Sequence, residues 1–497
     1  FVSAMAVLGA TAANGSALVA DYDKFKRDAT EGKATGKFQR VVMQGDRRAL
    51  ARAQRQLQSA GVVSQITEGS WSQDHAHEYW TDKVGRVDFK GSSLVVDMDQ
   101  PQARMAKALL EPDANFEPEF VKAQVAKKAA VPDGETYPGP EGSEFYDMTA
   151  WSIPLANGLK AWWCESRPEV PMGGTRAQAG GVSTVGFVLP YFDQEDVLAV
   201  AEALASGVRG SLTTKPIQVE GKVYPTGSFL FLADRNDEGY EAKLKQAAQS
   251  HGAQTVPLTT AYPDAERFGP GSDAVALLKR PKVAIVMGTR GNLADSGAIW
   301  YLFDQVFHLP FTPVDQSFLN SPDLNKYTTI ILPRGTSAPS KGKFADWLAA
   351  GGTAVVLGNP GWAIGSDNFA DLDTIKGKFR ELPGSLFRAQ LDKRSFLTYG
   401  YDRDELAFPM SGDTFWHVKK EGGSVVRLSD DPKAKRLLAG WSWPDETEKG
   451  LQGAVLVHDQ PVGSGHLVLF MEDPTERAMW PGLYKLLLNA ALLGPSF

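Results

Sequence analysis

Two stretches of this chain, far apart in sequence, follow one plan, and that duplication limits the fold more than any other feature. The first opens with the strand-like FQRVVMQ (38–44) and continues into the amphipathic DRRALARAQRQLQSAGV (46–62), closed by Gly61. The second opens with VGFVLPYF (185–192) and continues into DQEDVLAVAEALASGV (193–208), closed by Gly207. Each then reaches a stretch that reads as a hairpin about a glycine, VDFKGSSLVVDMDQ (87–100) about Gly91 and VYPTGSFLFLADRN (223–236) about Gly227. A polar helix follows in both, at 101–110 and 237–248. Two copies of one α/β unit are therefore expected, each about 70 residues long.

The copies differ in length. Gly61 to Gly91 is longer than Gly207 to Gly227 by about ten residues, so the first copy carries an insertion. SWSQDHAHEYW (70–80) lies in that insertion, and it contains His75 and Glu78 in H-x-x-E spacing. On a helix or tight turn such a pair shares a face and can meet one cation, but a catalytic zinc needs a third protein ligand. The next histidine beyond this stretch is His251, in the other copy. The stretch is read as a solvated loop with aromatic anchors, and a metal role for His75 and Glu78 is rejected.

Charge and cysteine usage remove other classes. Net charge is −7 with no basic stripe, so a nucleic-acid partner is not expected. The one cysteine, Cys164, excludes an internal disulfide and any Cys-rich zinc site, and between Trp163 and Glu165 it reads as a small buried residue. No uninterrupted apolar run is long enough for a membrane-spanning segment. Residues 1–20 lack the basic start of a signal peptide and run into the charged DYDKFKRD, so they read as an internal helix of a longer precursor.

Beyond a Pro/Gly boundary at 268–281 the rhythm changes. KVAIVMG (282–288), YTTIILP (327–333) and TAVVLG (353–358) are apolar strands, and 296–309 and 341–352 are helices between them. This alternation predicts a parallel, doubly wound sheet of flavodoxin-like type, whose sites form at the C-terminal strand ends. Three loops fall there: GTRGN (288–292), RGTS (334–337) and GNPGW (358–362). The first is not a dinucleotide fingerprint. The third occupies the place of a nucleophile elbow but offers neither Ser nor Cys, so no catalytic residue is assigned. Arg290, Asn359 and Trp362 are the candidate ligand groove. Trp416, Trp441 and Trp443 could extend it with Trp362, although core or loop anchoring is the preferred reading. His458 and His466 are placed on a hairpin surface.

The expected organisation is a helical segment (1–37), a first α/β unit (38–111), a linker and aromatic segment (112–180), a second α/β unit (181–268) and a doubly wound domain (281–497). EFYDMTAWSIPLANG (144–158), KVAIVMGTRG (282–291), WLAAGGTAVVLG (347–358) and the closing GSGHLVLFMEDPTERAMWPGLYKLLLNAALLG (463–494) together carry a resemblance. The chain resembles the C-terminal region of large bacterial zinc-carboxypeptidase-like proteins of the carboxypeptidase A family, including their class I glutamine-amidotransferase-like domain. That resemblance implies a non-catalytic accessory portion with no cofactor of its own, the zinc belonging to a peptidase domain upstream of Phe1. It implies a periplasmic or secreted setting, with that peptidase domain or another envelope protein as partner. The alternative is a stand-alone binding or envelope-assembly protein built from degenerate enzyme folds.

Overall fold

The computed structural model describes residues 1–112, 116–129, 144–145, 148–171, 183, 185–264, 268–287, 293–339, 342–358, 361–363, 369–375, 381–412, 414–419, 422–443 and 446–497. The chain forms two compact units, one from 1–114 and 151–176, the other from 115–150 and 177–497.

In the first unit, α1 (Val2–Ala13) and α2 (Gly15–Thr30) are followed by β1 (Arg40–Gln44), α3 (Arg47–Ser59), β2 (Gln65–Thr67), β3 (Ser70–Glu78), β4 (Val84–Lys90), β5 (Ser93–Asp97) and α4 (Ala103–Leu110). The chain leaves for α5 (Pro118–Ala129), part of the other unit, and returns with α6 (Ile153–Ala156) and β6 (Lys160–Cys164). α3 starts where Asp46 accepts a hydrogen bond from the Arg48 amide, and it buries Ala49, Leu50, Ala53 and Leu57 at helical spacing. The sheet order is β2-β5-β1-β6-β3-β4, antiparallel throughout. No residue of α1 is buried. No single helix among the described residues is long and apolar enough to cross a membrane, and α1 and α2 reach that length only as a pair bent by 78°.

The second unit begins with β7 (Gly186–Leu189), α7 (Gln194–Ala205), β8 (Ser211–Thr213), β9 (Ile217–Val219), β10 (Lys222–Tyr224), β11 (Phe229–Leu232), α8 (Tyr240–Ser250), β12 (Val256–Leu258) and β13 (Val275–Leu277). A capping box at Asp193 and Asp196 starts α7. The sheet order is β12-β7-β11-β8-β13. Matching β1, β2, β5 and β6 to β7, β8, β11 and β12 superposes the two orders, so both copies are the same split βαββαβ unit.

Two expectations fail here. Residues 70–78 are a strand, not a loop: β3 pairs with β4 along its length and with β6 at Ala76–Glu78. Nor are 87–100 and 223–236 hairpins. Gly91 (φ 77°) and Gly227 (φ 88°) do turn the chain, but β4 pairs with β3 while β5 pairs with β1 and β2, and β10 pairs with β9 while β11 pairs with β7 and β8. The real hairpins are β3–β4 and β9–β10, inserted between the second and third strands of each unit, and the glycines lead back from them into the sheet.

The rest of the second unit is a larger sheet. β14 (Val283–Val286), α9 (Leu293–Tyr301), β15 (Phe311–Val314), β16 (Thr329–Leu332), α10 (Lys343–Ala349) and β17 (Thr353–Val356) alternate. There follow β18 (Leu372–Thr374), β19 (Leu382–Leu391), β20 (Glu405–Gly412), β21 (Trp416–Val418), β22 (Ser424–Leu428), β23 (Leu437–Ala439), α11 (Glu446–Gly450), β24 (Val455–Val462), β25 (Gly465–Phe470) and α12 (Tyr484–Leu488). Five strands, β15-β14-β16-β17-β25, are parallel, and β24, β22, β19 and β20 extend them antiparallel. β14, β16 and β17 are buried along their whole length, as a sheet covered on both faces requires. The fold is α/β: two small units and a doubly wound sheet.

Candidate functional site

Where parallel strands end, backbone polar groups and loop side chains converge, and ionisable groups collect there in this sheet. β16 ends at Leu332, and Arg334 follows. β25 ends at Phe470, followed by Glu472 and Asp473. Beyond β14, the first turn of α9 carries Asp295. Beyond β17, Gly358 has φ 63°, and a Cβ there would lie 2.6 Å from Arg334 Nε, so glycine lets the guanidinium lie against the backbone.

The three carboxylates are buried and Arg334 is half-buried. Arg334 Nη2 stands 3.3 Å from Glu472 Oε2, and Arg334 Nε 4.0 Å from Asp295 Oδ2. The Ser411 amide of β20 donates to Glu472 Oε1 at 2.6 Å, and the Ser411 hydroxyl reaches the same carboxylate at 3.1 Å. The Thr475 amide and hydroxyl both donate to Asp473 Oδ1, at 2.8 and 2.6 Å. Asp473 Oδ2 is buried and has no hydrogen-bond partner. Burial pushes the Glu472 carboxyl up to about 7 against the opposing pull of Ser411 and Arg334. It pushes Asp473 up to about 6, with Thr475 pulling down and the Asp295 charge adding to the rise. The chain leaves through Arg477 (φ 51°) and Ala478 (φ 53°), two successive non-glycine residues in the left-handed region, each costing roughly 1–2 kcal/mol. Strain beside buried carboxylates with raised pKa values makes this strand end the candidate site.

Of the groove expected from sequence, Arg290 and Asn359 lie outside the described residues. Trp362 is half-buried and meets Phe369 edge to face at 5.9 Å. Trp416 and Trp443 are fully buried, and Trp443 Nε1 donates to the Glu381 carbonyl at 2.9 Å, so both are core residues and line no groove. Trp441 stacks on Phe145 at 5.7 Å and meets Trp443 edge to face at 6.1 Å.

His75 is exposed at a β-bulge, where its φ of 49° carries the register shift between Gln73 and Ala76. Glu78 instead accepts a hydrogen bond from the Thr81 hydroxyl. His77 is the engaged histidine of this stretch: its ring stacks on Trp163 at 3.6 Å and its Nε2 lies 3.0 Å from Glu165 Oε1. Among the described residues no group of three His, Cys, Asp or Glu is arranged to hold a metal ion. His458 is buried, not on a hairpin surface, and burial lowers its pKa; His466 Nδ1 pairs with Asp459 Oδ1 at 2.9 Å within the β24–β25 hairpin. Burial raises the Cys164 thiol to about 12, which leaves it inert at neutral pH.

The RGTS loop and the MEDPTER stretch are visible in the sequence, but neither by itself marks Arg334, Glu472 and Asp473 as charge partners. Two adjacent acids directly after the apolar HLVLF strand were the available signal.

No protein-family model matches the chain, and no curated protein matches it. Among solved structures it is similar to a cytoplasmic protein from Salmonella typhimurium LT2, with a TM-score of 0.28 and 10% identity over 42% of this chain and 99% of the other. It is similar to a glutamine amidotransferase from Thermotoga maritima (TM-score 0.26, 11% identity, 41% of this chain and 82% of the other). A β-galactosidase from Bacillus circulans sp. alkalophilus matches with a TM-score of 0.28 and 10% identity, over 52% of this chain and 36% of the other. Likenesses of this order say nothing about activity.

Proposed function

We propose that this chain is a non-catalytic, ligand-holding accessory portion of a zinc-carboxypeptidase-like protein, whose zinc and peptidase chemistry reside in a separate domain. The observation that carries the reading is the sequence that follows β17. There a glutamine-amidotransferase-like sheet would hold a nucleophile, and this chain has Gly358, Asn359, Pro360 and Gly361. The only cysteine sits in β6 of the other unit with its thiol buried. What the strand end keeps is charge: Asp295, Arg334, Glu472 and Asp473 can hold a ligand without a group to attack it. The uncharged α1, exposed along its length, gives the reading a surface for a partner domain, in a periplasmic or secreted protein.

The test is direct. Purified chain is expected to carry no stoichiometric zinc, to release no C-terminal residue from peptides, and to show no glutaminase or esterase turnover. About one zinc per chain lost on His75→Ala, or turnover abolished by Asn359→Ala, overturns the reading. Retention of a purified zinc-carboxypeptidase domain by the immobilised chain supports it over the stand-alone alternative.

A further inference from the structure

The edge of a sheet presents unpaired backbone amides and carbonyls, and proteins blunt such edges with very short strands or with proline. The other edges of the three larger sheets are blunted in this way. β2, β13 and β23 have three residues each, β12 carries Pro257, β15 carries Pro313 and β20 carries Pro409. β4 is different. It ends the first sheet, runs for seven residues without a proline, and among the described residues pairs only with β3. Val84, Gly85, Arg86, Asp88 and Lys90 are exposed, and a Cβ on Gly85 would meet nothing within 4 Å.

The side chains of β4 alternate between two faces. Val87 and Phe89 pack inward with Trp71 and Trp162, which puts Val84, Arg86, Asp88 and Lys90 on the outer face. Arg86 and Asp88 have side chains 61% and 68% exposed, and Arg86 Nε lies 3.5 Å from Asp88 Oδ1. A charged edge normally repels another strand, but here the signs alternate, and that makes the edge complementary to itself.

The natural occupant is a second copy, added antiparallel about a two-fold axis. Inner faces meet inner faces only if that axis passes through a residue rather than between two. An axis at Arg86 sets Arg86 against the second copy's Arg86. An axis at Asp88 sets Asp88 against Asp88 and Arg86 against Lys90. Like charges directly opposite destabilise a strand pair, and opposite charges stabilise it. An axis at Val87 sets Arg86 against the second copy's Asp88 twice over, with Val84 beside the aliphatic stem of Lys90. On the inner face the same register sets Val87 against Val87 and Phe89 against Gly85, which leaves the ring room. We propose that β4 is a self-association edge, at which two copies of this chain pair antiparallel about Val87 and join their six-stranded sheets into one.

The experiment is analytical ultracentrifugation of the full chain and three variants. One strand pair is a small interface, so a dissociation constant on the order of 10–100 µM is expected. The weight-average mass should then rise from 53.8 kDa towards twice that value as the chain is concentrated from about 1 to 300 µM. Arg86→Asp sets two acids opposite each other, and Asp88→Arg sets two guanidiniums opposite each other. Each single variant is expected to weaken the dimer about tenfold or more, because the two-fold repeats the change. The double variant Arg86→Asp/Asp88→Arg exchanges the signs and is expected to return to within about threefold of the original constant. Both positions are exposed, so all three variants should fold, and near-ultraviolet circular dichroism of the Trp71–Phe89–Trp162 cluster checks that they do. A chain that stays monomeric at about 300 µM overturns the proposal. So does a dimer that both single variants leave intact, or a loss that the double exchange does not restore.

Discussion

The two βαββαβ units share a sheet order and solve one problem in two ways. A four-stranded sheet of this kind has helices on one face only, and its other face must be covered. In the first copy Val41, Val42 and Met43 are all buried, although successive side chains point to opposite faces. The cover is the β3–β4 ribbon. It joins the sheet edge by pairing Ala76–Glu78 with β6, bends at the His75 bulge, and lays Trp71 and Phe89 on Val42 and Trp162. Phe89 meets Trp162 edge to face at 5.2 Å and Trp71 at 4.6 Å. In the second copy the shorter β9–β10 hairpin joins no sheet edge, yet Ile217, Val219 and Tyr224 cover Val188, Leu230 and Leu258. The extra residues of the first copy therefore turn a loose lid into a continuous one. Burial of the face is common to both; strand pairing is optional.

The largest effects should come from stripping the covers. Phe89→Ala is expected to cost about 3–5 kcal/mol and Ile217→Ala about 2–5 kcal/mol, each confined to its own copy. Amide-exchange protection of β1 and β6, or of β7 and β12, reads the outcome. A cost below about 0.5 kcal/mol for Phe89→Ala would mean that the ribbon extends the sheet without covering it.

The glycines that lead out of the covers should differ next. Gly91→Ala meets open space and should cost only the left-handed backbone penalty, about 1–2 kcal/mol. Gly227→Ala places its Cβ 2.8 Å from Tyr399 Cβ and should cost clearly more. Equal losses in urea unfolding would break that distinction.

A smaller, pH-signed difference belongs to the second copy. His251, at the C-terminal end of α8, faces Glu195 at 3.2 Å and Glu202 at 3.1 Å, both on α7. Burial alone would lower its pKa, but the hydrogen bonds and charges of the two glutamates together raise it above 6.5. A raised histidine stabilises fully below its unfolded pKa, and that stability is lost as pH rises through the folded value. The α7–α8 pair should therefore be better protected at pH 6 than at pH 8, and His251→Gln should remove the difference. A pH-independent α7–α8 pair in the wild-type chain would contradict it. Smallest of all, His75→Gly should stay within about 0.5 kcal/mol, because relief at the bulge is offset by the greater freedom of glycine in the unfolded chain.

Local pattern determined much of this molecule. Helical spacing in 47–59 and 194–205, the apolar runs of the parallel strands and the glycines at 61, 91, 207 and 227 gave the duplicated unit and the doubly wound sheet, because each is set by residues close in sequence. Pairing partners were decided by tertiary structure. β4 and β5 abut across Gly91 yet join different strands, and only the apolar face awaiting cover selects between them. The histidine that looked like a ligand became a bulge residue for the same reason. The charge cluster was hidden by distance: Asp295 in the first turn of α9, Arg334 after β16 and Glu472–Asp473 after β25 come from three separate segments, and no local rule raises the pKa of a carboxylate. Burial does that, and burial is a property of the folded chain.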